Sequence, residues 1–223
     1  MNITNDTLKV LKNFATINPN IVIKPGGQLK TISEAKNIMA IADGTDDFPT
    51  EFGIYDLNEF LSVSNLVQDP NFDFQDKNVK ITSGGNTVTY FFSEPEILTS
   101  PSKEITMPDT EVGISITQEV LSQVRKAAAV LGHTEMSIKG SGGKVTLSVV
   151  DSSDATANSF DIELNDNNDC TEEFNFIVNI NNLKLIEGDY FVNISSKLIS
   201  QWTCSSMAVK YFIALEKAST FGV

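Results

Sequence analysis

Histidine and cysteine are nearly absent from this sequence: His133 stands alone, and Cys170 and Cys204 are the two thiols. Two cysteines are too few for a disulfide framework, and no His/Cys cluster has the spacing of a metal site. They read as reduced thiols. No apolar run reaches membrane-spanning length, and the first residues lack the basic and apolar regions of a signal peptide. The expectation is a soluble, intracellular protein with no membrane contact. A nucleophile elbow and a phosphate-cradling glycine loop before a helix are also missing. Gly140-Ser141-Gly142-Gly143 is glycine-rich but joins two strand-like runs, so it predicts a hairpin turn. His133 follows Gly132 at the end of a helical pattern and reads as a surface or capping residue. These absences point away from an enzyme and from a bound cofactor or metal.

Positive charge is scarce too. Sixteen Lys and Arg stand against 29 Asp and Glu, for a formal charge of −13 over 223 residues. The excess acid is divided evenly between the two halves, with no acidic tail and no basic arm. Such a balance argues against a surface coated in nucleic acid. It leaves room for a local basic face, because a polyanion responds to local potential. The carboxylates of 166–173 (Asp166, Asp169, Glu172, Glu173) lack the alternating ligands and central glycine of an EF-hand. They read as a solvated acidic loop, as do Asp43, Asp46 and Asp47.

Four of the sixteen basic residues fall on two helical patterns of one design. In DTLKVLKNFATIN (6–18), Val10, Leu11, Phe14 and Ile17 recur at helical spacing and form one apolar stripe. Lys9, Lys12 and Thr16 project to the other side, and Asp6 or Asn5 is the expected N-cap. A second helix of the same design starts at Thr117 (TQEVLSQVRKAAAVL). Val120, Leu121, Val124, Ala128 and Leu131 form its stripe. Ser122, Lys126 and Ala129 point away, with Arg125 on the flank and Thr117 as the cap. Lysines on one such helix are ordinary solvated charges. Their duplication on an acidic body calls for another reason.

The chain between these helices reads as strands with turn punctuation. Strands are predicted at 21–24, 28–32, 37–42 (ending at Asp43-Gly44), 51–55, 72–75, 79–82 and 87–92. Asp56 opens a helix, DLNEFLSVSNLV, with Leu57, Phe60, Leu61 and Ser64 inward. Residues 94–110 carry Pro95, Pro101 and Pro108 and read as an extended connector. The second half replays the first: strands at 111–116, 136–139, 144–150, 158–164 and 174–179, a short helix INNLKLIEG, then strands at 190–195, 207–209 and 211–215. VLKNF (10–14) aligns with VLSQV (120–124), and EFGIYDLNEF (51–60) with EFNFIVNINNL (173–183). This is a duplicated domain rather than a solenoid. The predicted fold is α+β, two similar domains at 1–94 and 111–223 joined by 95–110, each with two helices on antiparallel sheet.

Several blocks carry a resemblance. KNFATIN (12–18), FGIYDLNEFL (52–61), FNFIVNINNLK (174–184) with GDY (188–190), and YFIALEKAS (211–219) resemble the sliding clamp of T-even-type bacteriophages, the accessory ring of the viral DNA polymerase. The resemblance runs in order along nearly the whole chain, with 25–47 and 151–170 diverged. It implies two copies of the DNA-clamp fold per subunit and three subunits closed head to tail as a homotrimer, with helices lining the hole. It implies duplex DNA as a non-specific, encircled partner. A clamp loader complex would open the ring, and DNA polymerase would dock a peptide near the connector. In some relatives late-transcription factors also bind. The implied location is the host cell cytoplasm. By matching position, Lys9, Lys12, Arg125, Lys126 and Lys184 would face DNA. DLNEFLSV departs from a basic lining, with no lysine and with Glu59. The runner-up reading is a duplicated β-rich viral structural or assembly protein without DNA binding, which would not need these lysines on one surface. A hydrolase using surface carboxylates is a weaker third.

Overall fold

The first helix, α1 (Asn5–Ile17), buries Val10, Leu11, Phe14 and Ile17 as its spacing predicts, and adds Thr7 and Ala15. Full burial of each large apolar side chain is worth roughly 1.5–3 kcal/mol, so the stripe rather than intrinsic propensity holds the helix in place. In this computed structural model the described residues are 1–154, 156–164 and 170–222. Asp166 and Asp169 lie outside them. The chain divides into two units, Met1–Glu104 and Ile105 onward, so the division falls inside the predicted connector.

In the first unit, α1 is followed by β1 (Ile21–Ile23), β2 (Gly26–Ile32), β3 (Ile38–Phe48), β4 (Phe52–Ile54), α2 (Leu57–Ser64), β5 (Asn71–Phe74), β6 (Asn78–Ser83) and β7 (Asn86–Phe91). The strands pair antiparallel as β1 with β4, β2 with β3, and β5-β6-β7 in order. Gly84 and Gly85, both at positive φ, make the two-residue turn between β6 and β7. Phe48, Phe52, Phe74 and Phe92 pack ring to ring, with centroids 4.6 Å apart for Phe52 and Phe92. Asp43-Gly44 does not end its strand. β3 runs through it as an irregular pair with β2, where Gly26 opposes Phe48 and Gln28 opposes Asp43. A Cβ on Gly27 would stand 2.7 Å from the Thr45 carbonyl oxygen, so only glycine fits this bulge.

The second unit holds β8 (Val112–Ile116), α3 (Gln118–Leu131), β9 (Glu135–Ser141), β10 (Lys144–Val150), β11 (Phe160–Leu164), β12 (Phe174–Asn179), β13 (Tyr190–Ser195), β14 (Ile199–Cys204), β15 (Val209–Ala214) and β16 (Thr220–Phe221). One sheet runs β11-β10-β9-β12-β16, with β11 at its end. β8, β13, β14 and β15 pair consecutively as β8-β13-β14-β15. The Ser141-to-Lys144 hairpin forms as expected, with Gly142 and Gly143 at positive φ.

Three expectations need correction. The strand β14 was not predicted, and 207–209 is not a strand; the ladder resumes at Val209. The second helix of the second half is a single 3-10 turn, Ile180–Asn182. The connector is not extended throughout: Pro95–Ile97 forms a 3-10 turn, Leu98 is buried, and Thr99 donates its N–H to Asn20 Oδ1 at 3.1 Å within the first unit.

Candidate nucleic-acid interface

The N-terminus of α1 is capped by Thr4, not by Asn5 or Asp6: Thr4 Oγ1 accepts from the Thr7 N–H. Asp46 then accepts from the Thr4 N–H at 2.7 Å and the Thr4 hydroxyl at 3.0 Å, while its own N–H donates to Thr7 Oγ1. Asp46 is therefore not merely a solvated charge. It anchors the bulged strand to the positive end of α1, where a carboxylate is favoured. The helix so held turns Lys9, Lys12 and Thr16 outward, all three exposed. Its neighbour α2 is capped by Asp56, which accepts from the Asn58 and Glu59 N–H groups. The outward face of α2 carries Asn58, Glu59 and Ser62 and no cation.

In the second unit, Thr117 caps α3 by accepting from the Val120 N–H. The GDY block locks the same helix start. Asp189 Oδ1 accepts from the Gln118 N–H at 2.8 Å, and Gln118 Oε1 accepts from the Gly188 N–H at 2.9 Å. Gly132, at φ 73°, closes α3 with its N–H on the Ala128 carbonyl. Lys126 is exposed and Arg125 half-buried. Arg125 Nη2 donates to the Leu183 carbonyl oxygen at 2.9 Å. Lys184 is the next residue, half-buried, on the segment after the 3-10 turn rather than on a helix. The structure thus groups Lys9 with Lys12 in the first unit, and Arg125 with Lys126 and the Leu183–Lys184 segment in the second.

Among the described residues the ion pairs are Lys30–Glu104 and Lys144–Glu163. Lys9, Lys12 and Lys126 belong to neither, so their charge is directed at solvent. Each of α1 and α3 carries two basic residues and one acid, Asp6 or Glu119, a faint positive bias on a chain of −13.

One feature of the second unit has no counterpart among the sequence expectations. A largely apolar groove of about 370 Å³ runs between α3 (Gln123, Lys126, Ala127, Val130, Leu131) and the chain entering β11 (Ser159, Phe160). Val130 is 85% exposed and Phe160 38%. Leu131, expected in the buried stripe, is only partly covered. The signal is Val130, an apolar residue out of phase with that stripe.

Residues 4–95 match a family model described as DNA polymerase processivity factor, and residues 113–217 one described as gp45 sliding clamp, C terminal. The sliding clamp of Vibrio phage KVP40 is 34% identical over 222 residues, covering 97% of this chain and 99% of that protein. That of Escherichia phage RB69 is 30% identical over 231 residues, covering 99% of each. Among solved structures, A. fulgidus PCNA bound to the C-terminal region of FEN-1 superposes with a TM-score of 0.71 over 96% of both chains, at 12% identity, a likeness of fold. These matches set aside the structural-protein reading. The chain therefore belongs to the sliding-clamp family of T-even-type bacteriophages, and its function is that of a DNA sliding clamp, a replication processivity factor and not an enzyme.

Proposed function

We propose that three copies of this chain close head to tail around duplex DNA, with Lys9, Lys12 and Lys126 aimed at phosphates and Arg125 and Lys184 beside them. The observation that carries the reading is the outward, unpaired placement of Lys9, Lys12 and Lys126 on helices whose opposite faces are buried. Contacts to phosphate attract without reading bases, which suits a ring that must slide. The absence of cations on the outward face of α2 keeps the attraction weak, so enclosure rather than affinity retains the ring. An acidic exterior discourages DNA from binding elsewhere.

Head-to-tail closure needs two unlike surfaces on each copy. The end strand β11 and its apolar groove supply one in the second unit. The end strand β7, with Phe91 70% exposed, supplies the other in the first. Pairing such edges also removes the hazard of open strands. The ring tethers DNA polymerase through a peptide at the Pro95–Pro108 segment, is opened by a clamp loader complex, and serves late-transcription factors. It works in the host cell cytoplasm; among the described residues no helix is long and apolar enough to cross a membrane.

Light scattering across a dilution series, followed by retention on circular and linear DNA, tests the reading. A three-chain mass, with retention on circles and loss from linear ends, supports it. A strict monomer at high concentration, or equal retention on both DNAs, overturns it.

A further inference from the structure

The one histidine of the chain sits at a junction that the clamp reading leaves unused. Gly132 turns the backbone out of α3, and His133 Nε2 then lies 2.8 Å from the carbonyl oxygen of Asn158. A carbonyl only accepts, so Nε2 carries the proton. Asn158 immediately precedes Ser159 and Phe160, where β11 begins. The bond therefore joins the C-terminal end of α3 to the first residues of β11. These are the two walls of the groove lined by Val130 and Leu131 on one side and Ser159 and Phe160 on the other.

The approach to this junction is ordered by its own hydrogen bonds. Glu135 Oε2 accepts from the Ser152 N–H at 2.9 Å. Asp151 accepts from the Ser153 N–H and hydroxyl, and Asp154 from those of Thr156. These bonds hold both carboxyls below their usual range, and the nearby His133 adds to the effect. The His133 bond runs from this loop to the residue that follows the Gly132 cap of α3.

We propose that His133 is a positioning residue for ring closure: its Nε2–H···O=C bond to Asn158 sets the spacing of α3 and β11, and so the shape of the groove that the next copy of this chain occupies. The inference rests on the groove being a subunit boundary, and its test separates the two. The variants are His133→Ala, His133→Gln and Phe160→Asp in the full chain. The readouts are the trimer dissociation midpoint by light scattering and the thermal midpoint at a concentration where every variant is monomeric. One net hydrogen bond corresponds to about fivefold in an equilibrium constant. His133→Ala is expected to raise the dissociation midpoint by about that factor, with the monomer's thermal midpoint little changed. His133→Gln retains an N–H donor and is expected to restore assembly to within about twofold. Phe160→Asp is expected to be monomeric. Wild-type assembly in His133→Ala beside a monomeric Phe160→Asp would leave the boundary standing and overturn the role of His133. A loss in His133→Ala that His133→Gln does not restore, or that appears equally in the monomer's thermal midpoint, would also overturn it. A trimeric Phe160→Asp would remove the boundary and the inference with it.

Discussion

Arg125 reaches from α3 to the carbonyl oxygen of Leu183, 2.9 Å from its Nη2, and so ties a helix to the place where a second helix was expected. In the first unit the corresponding segment forms α2, because Leu57, Phe60, Leu61 and Ser64 recur at helical intervals and share one buried face. In the second, Leu183, Leu185 and Ile186 are the buried residues, without the i, i+3, i+4, i+7 recurrence that α2 has. The chain makes one 3-10 turn and then runs irregularly, leaving carbonyls without helical partners. Arg125 supplies a donor to one of them.

Two adjacent cations on α3 thus have different work, and their removal separates it. Arg125→Ala is expected to cost about 1–2 kcal/mol of stability in urea denaturation, the worth of a charge-assisted bond at a half-buried site. Lys126→Ala is expected to leave stability within about 0.5 kcal/mol, as for an exposed side chain outside any ion pair, while weakening loading on DNA. Equal effects of the two changes on stability would contradict the division.

The double change Lys9→Glu with Lys126→Glu reverses charge on both basic helices without touching a buried residue. The fold is expected to persist and DNA loading and processive synthesis to fall; because Lys126 also lines the groove beside β11, trimer mass is measured alongside to separate a loss of DNA contact from a loss of assembly. The slope of log K against log salt should drop by about 1 for each phosphate that is no longer neutralised. Unchanged processivity and an unchanged slope would remove these helices from the DNA-facing surface.

Much of the fold is written in periodicity. The stripe of α1, the middle of that of α3 (Leu121, Val124, Ala128), the cap at Thr117 and the two glycine hairpins are set by local rules and form as those rules require, while Val120 and Leu131 at the ends of α3 stay partly covered. What escapes depends on partners distant in sequence. The inward side of β14 is Ser200, Trp202 and Cys204, and a serine at a core position hides the alternation. Asp43-Gly44 looks like a turn because local chemistry cannot reveal that β2 continues opposite it. Thr4 caps α1 in place of Asn5 or Asp6, and Asp46, forty-two residues on, fixes that arrangement. For the candidate interface, Lys9, Lys12 and Lys126 are legible as outward residues of amphipathic helices. The tie of Arg125 is not, since it depends on a helix that fails to form.

The serine that hides β14 also explains it. Trp202 is fully buried, and its Nε1–H donates to Ser200 Oγ at 2.9 Å; that hydroxyl donates in turn to the Ile213 carbonyl on the next strand. Ser200→Ala would leave the indole N–H without its acceptor in a dry core. The expected loss is about 1–3 kcal/mol, read by denaturation with Trp202, the one tryptophan of the chain, as the fluorescent probe. A loss below about 0.5 kcal/mol would mean that the core relaxes to give the indole another acceptor.

Glu111 makes stability depend on pH in a definite direction. Burial works against its charge, but two hydrogen bonds from Ser196 outweigh this, the N–H at 2.8 Å and the hydroxyl at 2.6 Å, with Lys197 adding attraction. Its carboxyl is held below the usual range in the folded chain. A carboxyl of lowered folded pKa contributes stability that is complete above its unfolded value and disappears as pH falls through its folded one. Wild type should therefore exceed Glu111→Gln in stability at neutral pH, with the gap closing below about pH 4. Glutamine keeps the shape and one accepting oxygen but does not titrate, so the gap isolates the charge. Denaturant midpoints measured from about pH 7 down to about pH 3 decide the matter. A gap that stays constant across that range would show that shape alone, and not ionisation, holds Ser196 to the start of β8.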